Sequence, residues 1–213
     1  MLSHSTQLFG YPKFYPMKSD AKLAIIDVEY TSWEGAMQRN WSGANEHREA
    51  VQIYICGLSE DFEVVWNKEY FTRPILNPLL SNYFTLLTGI TQERVDALGV
   101  SLQSILLSLQ ELTSYGPIFS WGDGDEGSLR DSCKIQELEY DAFLPSIHDI
   151  RPIFQHCGID TSKYQSGTLF KAVGLSMNGK QHDSQHDVKS MIESLRVLNR
   201  DQNLARWLFE VCI

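Results

Sequence analysis

Three short stretches of the chain carry side chains able to do chemistry together. The first is Asp27-Val28-Glu29, which closes the apolar run KLAIIDV. Side chains alternate along a strand, so an Asp and a Glu two residues apart bring two carboxylates to one face. Like charges that close repel, and a cation between them relieves the repulsion. An ordinary solvated strand terminus fits the same two residues. The second stretch is Trp121-Gly122-Asp123-Gly124-Asp125, after the apolar GPIFS and at the opening of a helix. Strand-to-helix junctions are common sites for ion and phosphate binding, and Asp is equally favoured there as an N-cap. Both readings hold together if Asp123 shapes the turn while Asp125 reaches a metal. The third is His182-Asp183-Ser184-Gln185-His186-Asp187. Its spacing suits a loop imidazole above an Asp on the first turn of a helix. A neutral imidazole there can take a proton from water, because its pKa lies near working pH. A polar loop capping the helix is the plainer reading. A third is His182 and His186 ligating a metal at i, i+4, although no further soft ligand lies nearby in sequence.

These residues need elements to hold them. Residues 22–28 read as a buried strand, as do 50–58 (AVQIYICGL) and 62–71 (FEVVWNKEYF), with the polar SED between the last two as a hairpin turn. The polar, Gly-containing segment between the first two strands reads as a long loop beside the strand end. Beyond Pro74 and Pro78 the pattern turns helical. TQERVDALG has a Thr N-cap and a Gly stop. Leu102, Ile105, Leu106, Leu109 and Leu112 make the i, i+3, i+4, i+7 stripe of an amphipathic helix. GPIFSW reads as a further strand, DGDEGSLRDSC as a helix, and 149–157 as a short strand or turn followed by a helix. TLFKAVGL (168–175) and 184–199 read as helices, the latter with Val188, Met191, Ile192 and Leu195 facing the core. Residues 201–212 read as a last helix. Strands then helices alternating with strands predict one α/β domain over 21–213, a mixed sheet covered by helices. Residues 1–20 read as an irregular N-terminal arm.

Composition bounds the function without choosing it. The 213 residues are 43% hydrophobic and 21% charged, ordinary for a soluble globular domain. No apolar run of about 18 residues predicts a membrane span, no secretory signal is apparent, and a cytoplasmic protein is expected. Cys56, Cys133, Cys157 and Cys212 are scattered, which predicts free thiols rather than a zinc or disulfide framework. A net charge of −9 does not favour phosphate binding. It does suit a protein that gathers carboxylates around divalent cations.

The order of the three stretches adds what none carries alone. A carboxylate pair on the first strand, an Asp after a mid-chain strand, and a His with an Asp before a late helix follow the order of the DEDDh exonucleases. The chain resembles that family over roughly residues 22–199, in IIDVEYTSWEG, REAVQI, LLTGITQERVD, SWGDGDEGSL and HDSQHDVKSM. It is most similar to the subgroup with the KapD-type sporulation inhibitors and the enhanced-RNAi and histone-mRNA exonucleases. The resemblance implies a ribonuclease-H-like fold, one mixed central sheet flanked by helices, and 3′–5′ exonuclease activity by two-metal hydrolysis. Asp27 and Glu29 match its first motif, Asp125 the second, and His182 with Asp187 the last. Asp27, Glu29, Asp125 and Asp187 are thereby expected to hold two divalent cations, Mg²⁺ or Mn²⁺, as hard oxygen ligands would. His182 is the expected general base, and Glu29 is expected to act in catalysis too by binding the terminal 3′-OH. Asp123 competes with Asp125 for the second motif, but the second Asp of the G-D-x-D phrase is the one that aligns. His186 stands where the family often has an Asp, and no role attaches to it.

The implied substrate is single-stranded RNA or DNA with a free 3′ end, with RNA slightly favoured by the subgroup, and nucleoside 5′-monophosphates are released. No nucleotide cofactor is expected, and nothing points to an oligomeric state. Tyr30, Trp33 and Trp41 are candidates for stacking on bases, whereas Tyr83 and Phe84 are expected in the core. Two other functions compete: a catalytically silent nucleic-acid or protein-binding module on the same fold, and a hydrolase of very short oligonucleotides. The complete set of five motif residues argues against the silent module.

Overall fold

The computed structural model describes residues 20–208 except Tyr115. The expected N-terminal arm, apart from Asp20, lies outside the described residues, as do Cys212 and the end of the expected last helix.

The apolar run at the start forms β1 (Leu23–Tyr30), followed by β2 (Ala50–Leu58) and β3 (Val64–Thr72). Helices α1 (Asn82–Thr88) and α2 (Gln92–Leu98) lead into the two-residue β4 (Gly99–Val100), then α3 (Leu102–Thr113) and β5 (Ile118–Ser120). Helix α4 (Gly124–Ile135), β6 (His148–Asp149), α5 (Arg151–His156), α6 (Ser184–Gln202) and α7 (Leu204–Trp207) complete the described chain. The strands make one sheet in the order β4-β3-β2-β1-β5-β6. β1, β2 and β3 pair antiparallel, and the pairs β1–β5, β5–β6 and β3–β4 are parallel. The mixed, helix-covered sheet is the expected α/β architecture.

β1 and β2 are apolar on both faces because helices cover both. Leu23 and Ile25 of β1 join Tyr54, Cys56 and Leu58 against Val188, Met191, Ile192 and Leu195 of α6. Ala24, Ile26 and Val28 face the other way, against Ile105, Leu106 and Leu109 of α3 and Leu129 of α4. Each buried Leu, Ile, Val or Met side chain among them stabilises the sandwich by about 1.5–3 kcal/mol. Cys56 and Cys133 are buried free thiols and Cys157 is a half-buried one.

Several boundaries differ from expectation. The third strand begins at Val64, because Phe62 adopts φ 59° and turns into the core. Gly99 ends α2 with its N–H on Val95 O but at φ −64°, so the chain runs straight into β4 instead of reversing through a left-handed cap. The predicted helix at 168–175 is a 3-10 helix, Ser166–Val173, closed by Gly174 at φ 75°. Its residues Ser166, Gly167 and Phe170 are held by Asp187, His186 and Ser190 of α6. The last helical stretch is broken at Asn203 (φ 52°), which separates α6 from α7.

Candidate active site

The row Leu23, Ile25 continues on the same face of β1 with Asp27 and Glu29, so the two carboxylates point toward α6 by strand alternation. Both are over 90% buried, with 7% and 8% exposure. The β1–β2 register shifts between Glu29 and Tyr30, and the regular ladder ends there at the rim of a cavity. β5 runs parallel beside β1 and stops at Ser120, so the Trp121–Asp123 turn delivers α4 to the same rim. Asp125, on the first turn of α4, accepts a hydrogen bond of 3.1 Å from the Val28 N–H, the amide between the two acids of β1. Asp123 occupies the N-cap position without a side-chain cap bond and is exposed at the cavity wall. The tie to β1 distinguishes the two aspartates: Asp125 is the one drawn against Asp27 and Glu29.

Asp187 comes from the first turn of α6, whose N-cap Asp183 accepts from the Gln185 N–H. One carboxylate oxygen of Asp187 accepts from the Ser166 hydroxyl at 2.9 Å, and Oδ1 is buried with no hydrogen-bond partner. His182 precedes α6 at φ 62°, a left-handed conformation that His adopts more readily than most residues. Its loop is tethered to α1, since Lys180 Nζ donates to Leu86 O at 2.7 Å. Ligand atoms of Glu29, His182 and Asp187 lie within 4.8 Å of one another. His186 does not join them. Its Nε2 lies 3.0 Å from Gly167 O, inside the α6 packing, so the pairing of His182 and His186 on one metal is not formed.

Electrostatics follows from crowding four acids into one buried place. Burial, then the charges of Asp125, Asp187 and Glu29, push the Asp27 carboxyl well above the usual range. Glu29 rises to about 8 through burial and then Asp187 and Asp125, with Lys180 opposing. Burial takes Asp125 to about 7 against the stabilising Val28 N–H, and Asp187 to about 6 against the Ser166 hydroxyl. The His182 imidazole is held below its ordinary value by loss of solvent and by Lys180, which keeps it neutral and able to accept a proton at neutral pH. Mutually repelling oxygen donors, with a buried Asp187 oxygen lacking a partner, fit divalent cations of the hard, oxygen-seeking kind.

The cavity measures about 520 Å³, and Asp27, Glu29, Asp125, His182 and Asp187 all line it. Tyr30 and Trp41 also line it, their rings 5.6 Å apart, with the Arg48 guanidinium over both. Trp41 is oriented by its Nε1–H, which donates to Thr31 O at 3.1 Å. Trp33 is half-buried and is not among the lining residues. Phe84 is in the core as expected, but Tyr83 is 38% exposed, because α1 buries only one side. Sequence patterns do not single out Ser166 or Arg151, both in the cavity wall. Ser166 acts across 21 residues and lies in no motif, so only spatial proximity to Asp187 reveals it.

No protein-family model matches the chain. ERI1 exoribonuclease 2 of Mus musculus is 25% identical over 194 residues, covering 80% of this chain and 27% of the relative. The Danio rerio protein of the same name is 28% identical over 194 residues, covering 79% and 33%. The 3′-5′ exonuclease Snipper of Drosophila melanogaster is 24% identical over 199 residues, covering 82% and 68%. The chain thus spans about a quarter to a third of the ERI1 exoribonuclease 2 relatives. Among solved structures, the nuclease domain of 3′hExo, a DEDDh family member bound to rAMP, superposes with a TM-score of 0.70 at 23% identity, over 89% of this chain and 94% of that one. Exonuclease I superposes with a TM-score of 0.66 at 17% identity, over 89% and 43%. These structures share the ribonuclease-H-like fold with this chain. The chain is thus similar in sequence to exoribonucleases and a 3′-5′ exonuclease, and similar in fold to a DEDDh nuclease domain.

Proposed function

We propose that the protein removes nucleotides from the 3′ end of single-stranded nucleic acid, RNA ahead of DNA, with two divalent cations held by Asp27, Glu29, Asp125 and Asp187. The observation that carries this reading is the convergence of four buried, mutually repelling carboxylates from β1, α4 and α6 on one cavity, with the His182 imidazole beside them. The exoribonuclease relatives support RNA as the substrate. Mg²⁺ or Mn²⁺, when bound, stabilises charge on the attacking and leaving oxygens of an in-line displacement. His182 takes a proton from the attacking water, whose oxygen bonds to the terminal phosphorus as the bond to O3′ breaks, and O3′ takes a proton from solvent water to become the new 3′-OH. A nucleoside 5′-monophosphate leaves, and the strand is one residue shorter. In this reading Glu29, near the end of β1, accepts a hydrogen bond from the terminal 3′-OH. Tyr30 and Trp41 offer ring faces to the last bases, worth roughly 1–3 kcal/mol for each base stacked.

Matched 5′-labelled RNA and DNA strands incubated with Mn²⁺ test the proposal. Wild type is expected to shorten both from the 3′ end, RNA faster, while Asp27→Ala leaves them intact. Equal survival of both strands with both proteins would sink catalysis and leave the silent binding module. Cleavage confined to dinucleotides would select the short-oligonucleotide hydrolase.

A further inference from the structure

His186, within the His182–Asp187 motif, has no part in the proposed chemistry, yet it is 7% exposed and held on several sides. Its Nε2 lies 3.0 Å from Gly167 O. A carbonyl can only accept, so Nε2 carries the hydrogen and donates it. The opposite edge of the ring meets the loop that leads to His182: a Cβ built on Gly179 would stand 1.9 Å from His186 Nδ1. The ring edge also packs on Phe170, with centroids 6.1 Å apart at 81°.

Gly167 is clasped from two sides by consecutive residues of α6. His186 holds its carbonyl, and its Cα packs so tightly on Asp187 that a Cβ would lie 2.2 Å from Oδ1. The neighbouring Ser166 supplies the hydroxyl bonded to the other Asp187 oxygen. One imidazole therefore braces the segment that orients the Asp187 carboxylate and packs against the loop that carries His182.

We propose that His186 is a positioning residue, fixing the Ser166–Gly167 clasp on Asp187 through one ring edge and the Gly179–His182 loop through the other. The inference rests on the reading of Asp187 as a cation ligand and His182 as the base. Partners that orient a ligand change metal affinity or activity by about 10–100-fold when removed.

Three variants probe the two edges: His186→Leu, which removes the donor and keeps bulk; His186→Gln, which offers an amide N–H to Gly167 O; and Gly179→Ala, which wedges a Cβ between the loop and the ring edge that faces it. Mn²⁺ affinity is read by calorimetry without substrate, together with the melting temperature and the kcat on a labelled RNA strand. His186→Leu is expected to bind Mn²⁺ roughly tenfold more weakly, with partial rescue by His186→Gln. Gly179→Ala is expected to keep its Mn²⁺ affinity and lose kcat. Wild-type affinity and kcat in His186→Leu overturn the proposal. So does a loss of affinity that merely tracks a falling melting temperature and is unrelieved by Gln. A wild type that binds Mn²⁺ but cleaves nothing defeats the nuclease reading alone, and the affinities of the variants still decide the role of His186. A wild type that binds no Mn²⁺ defeats both.

Discussion

Among the described residues, carboxylates are buried in two places, and the two solve the problem in opposite ways. Glu49, at 1% exposure, lies deeper than any acid of the cavity. Its oxygens accept from the backbone N–H groups of Ile75 (2.6 Å), Leu76 (3.1 Å) and Asn77 (2.9 Å), so peptide dipoles replace the lost water. Asp27, Glu29, Asp125 and Asp187 are buried almost as well, but they face one another. Each repels at least one neighbour, and Asp187 keeps an oxygen with no partner. Burial of a charge is thus not itself a mark of function. A carboxylate cradled by amides is complete and locks a loop, whereas carboxylates that repel are incomplete until a cation arrives.

The contrast is open to being broken, first at Asp27. Asp27→Asn is expected to lower exonuclease turnover by roughly 10³-fold or more, since each factor of ten is about 1.4 kcal/mol of transition-state stabilisation. The same change removes a repelling charge, so the cation-free melting temperature is expected to hold or rise. A clear fall in calorimetry would mean that the cavity acids are structural after all. Glu49→Gln is expected to do the reverse. Replacing one acceptor by an N–H donor among three amides costs about 1–3 kcal/mol, a fall of roughly 2–12 °C in a domain of this size. Turnover by the folded fraction should stay within a few-fold of wild type, and a melting temperature equal to wild type would remove Glu49 from the comparison.

Acidity sharpens the difference. The folded-state values of Glu29 (about 8), Asp125 (about 7) and Asp187 (about 6) lie above those of the unfolded chain. Between the two the folded protein holds protons that the unfolded chain has released, so stability falls as pH rises. Without cations the contribution is full below about pH 4 and is lost progressively up to about pH 8. Melting in a chelator should therefore worsen from pH 5 to pH 8, and Mn²⁺ should raise the melting temperature more at pH 8 than at pH 5. A cation increment independent of pH would count against the cavity as the binding site. The smallest effect is expected from Ser166→Ala, which removes one hydrogen bond from Asp187, worth about 0.5–1.5 kcal/mol. With that bond gone, the Asp187 carboxyl should hold its proton to higher pH, and turnover should drop more at pH 6 than at pH 8. A uniform drop across pH would assign Ser166 to packing alone.

The range of each interaction decides how much of the fold and the site is legible in the sequence. Asp27 and Glu29 are readable because strand alternation is local: two residues apart means one face, whatever the rest of the chain does. The α6 stripe of Val188, Met191, Ile192 and Leu195 is readable for the same reason, at helical spacing. The chain order of the motifs then suffices to suggest the fold. Asp125 over Asp123 is not decided at that level, because the Val28–Asp125 bond closes a separation of 97 residues. Trp41 lines the cavity and Trp33 does not because the loop turns through φ 50° at Asn40 and again at Trp41, with the indole bonded back to Thr31. The Ser166 bond to Asp187 and the clasp of His186 on Gly167 close separations of 21 and 19 residues. The amide cradle of Glu49 spans 26 to 28. Sequence by itself determined which chemical groups are present and which face of a local element they occupy. Tertiary structure decided which of them meet, because hydrogen bonds and charges act over a few ångströms in space, a distance that separation along the chain does not encode.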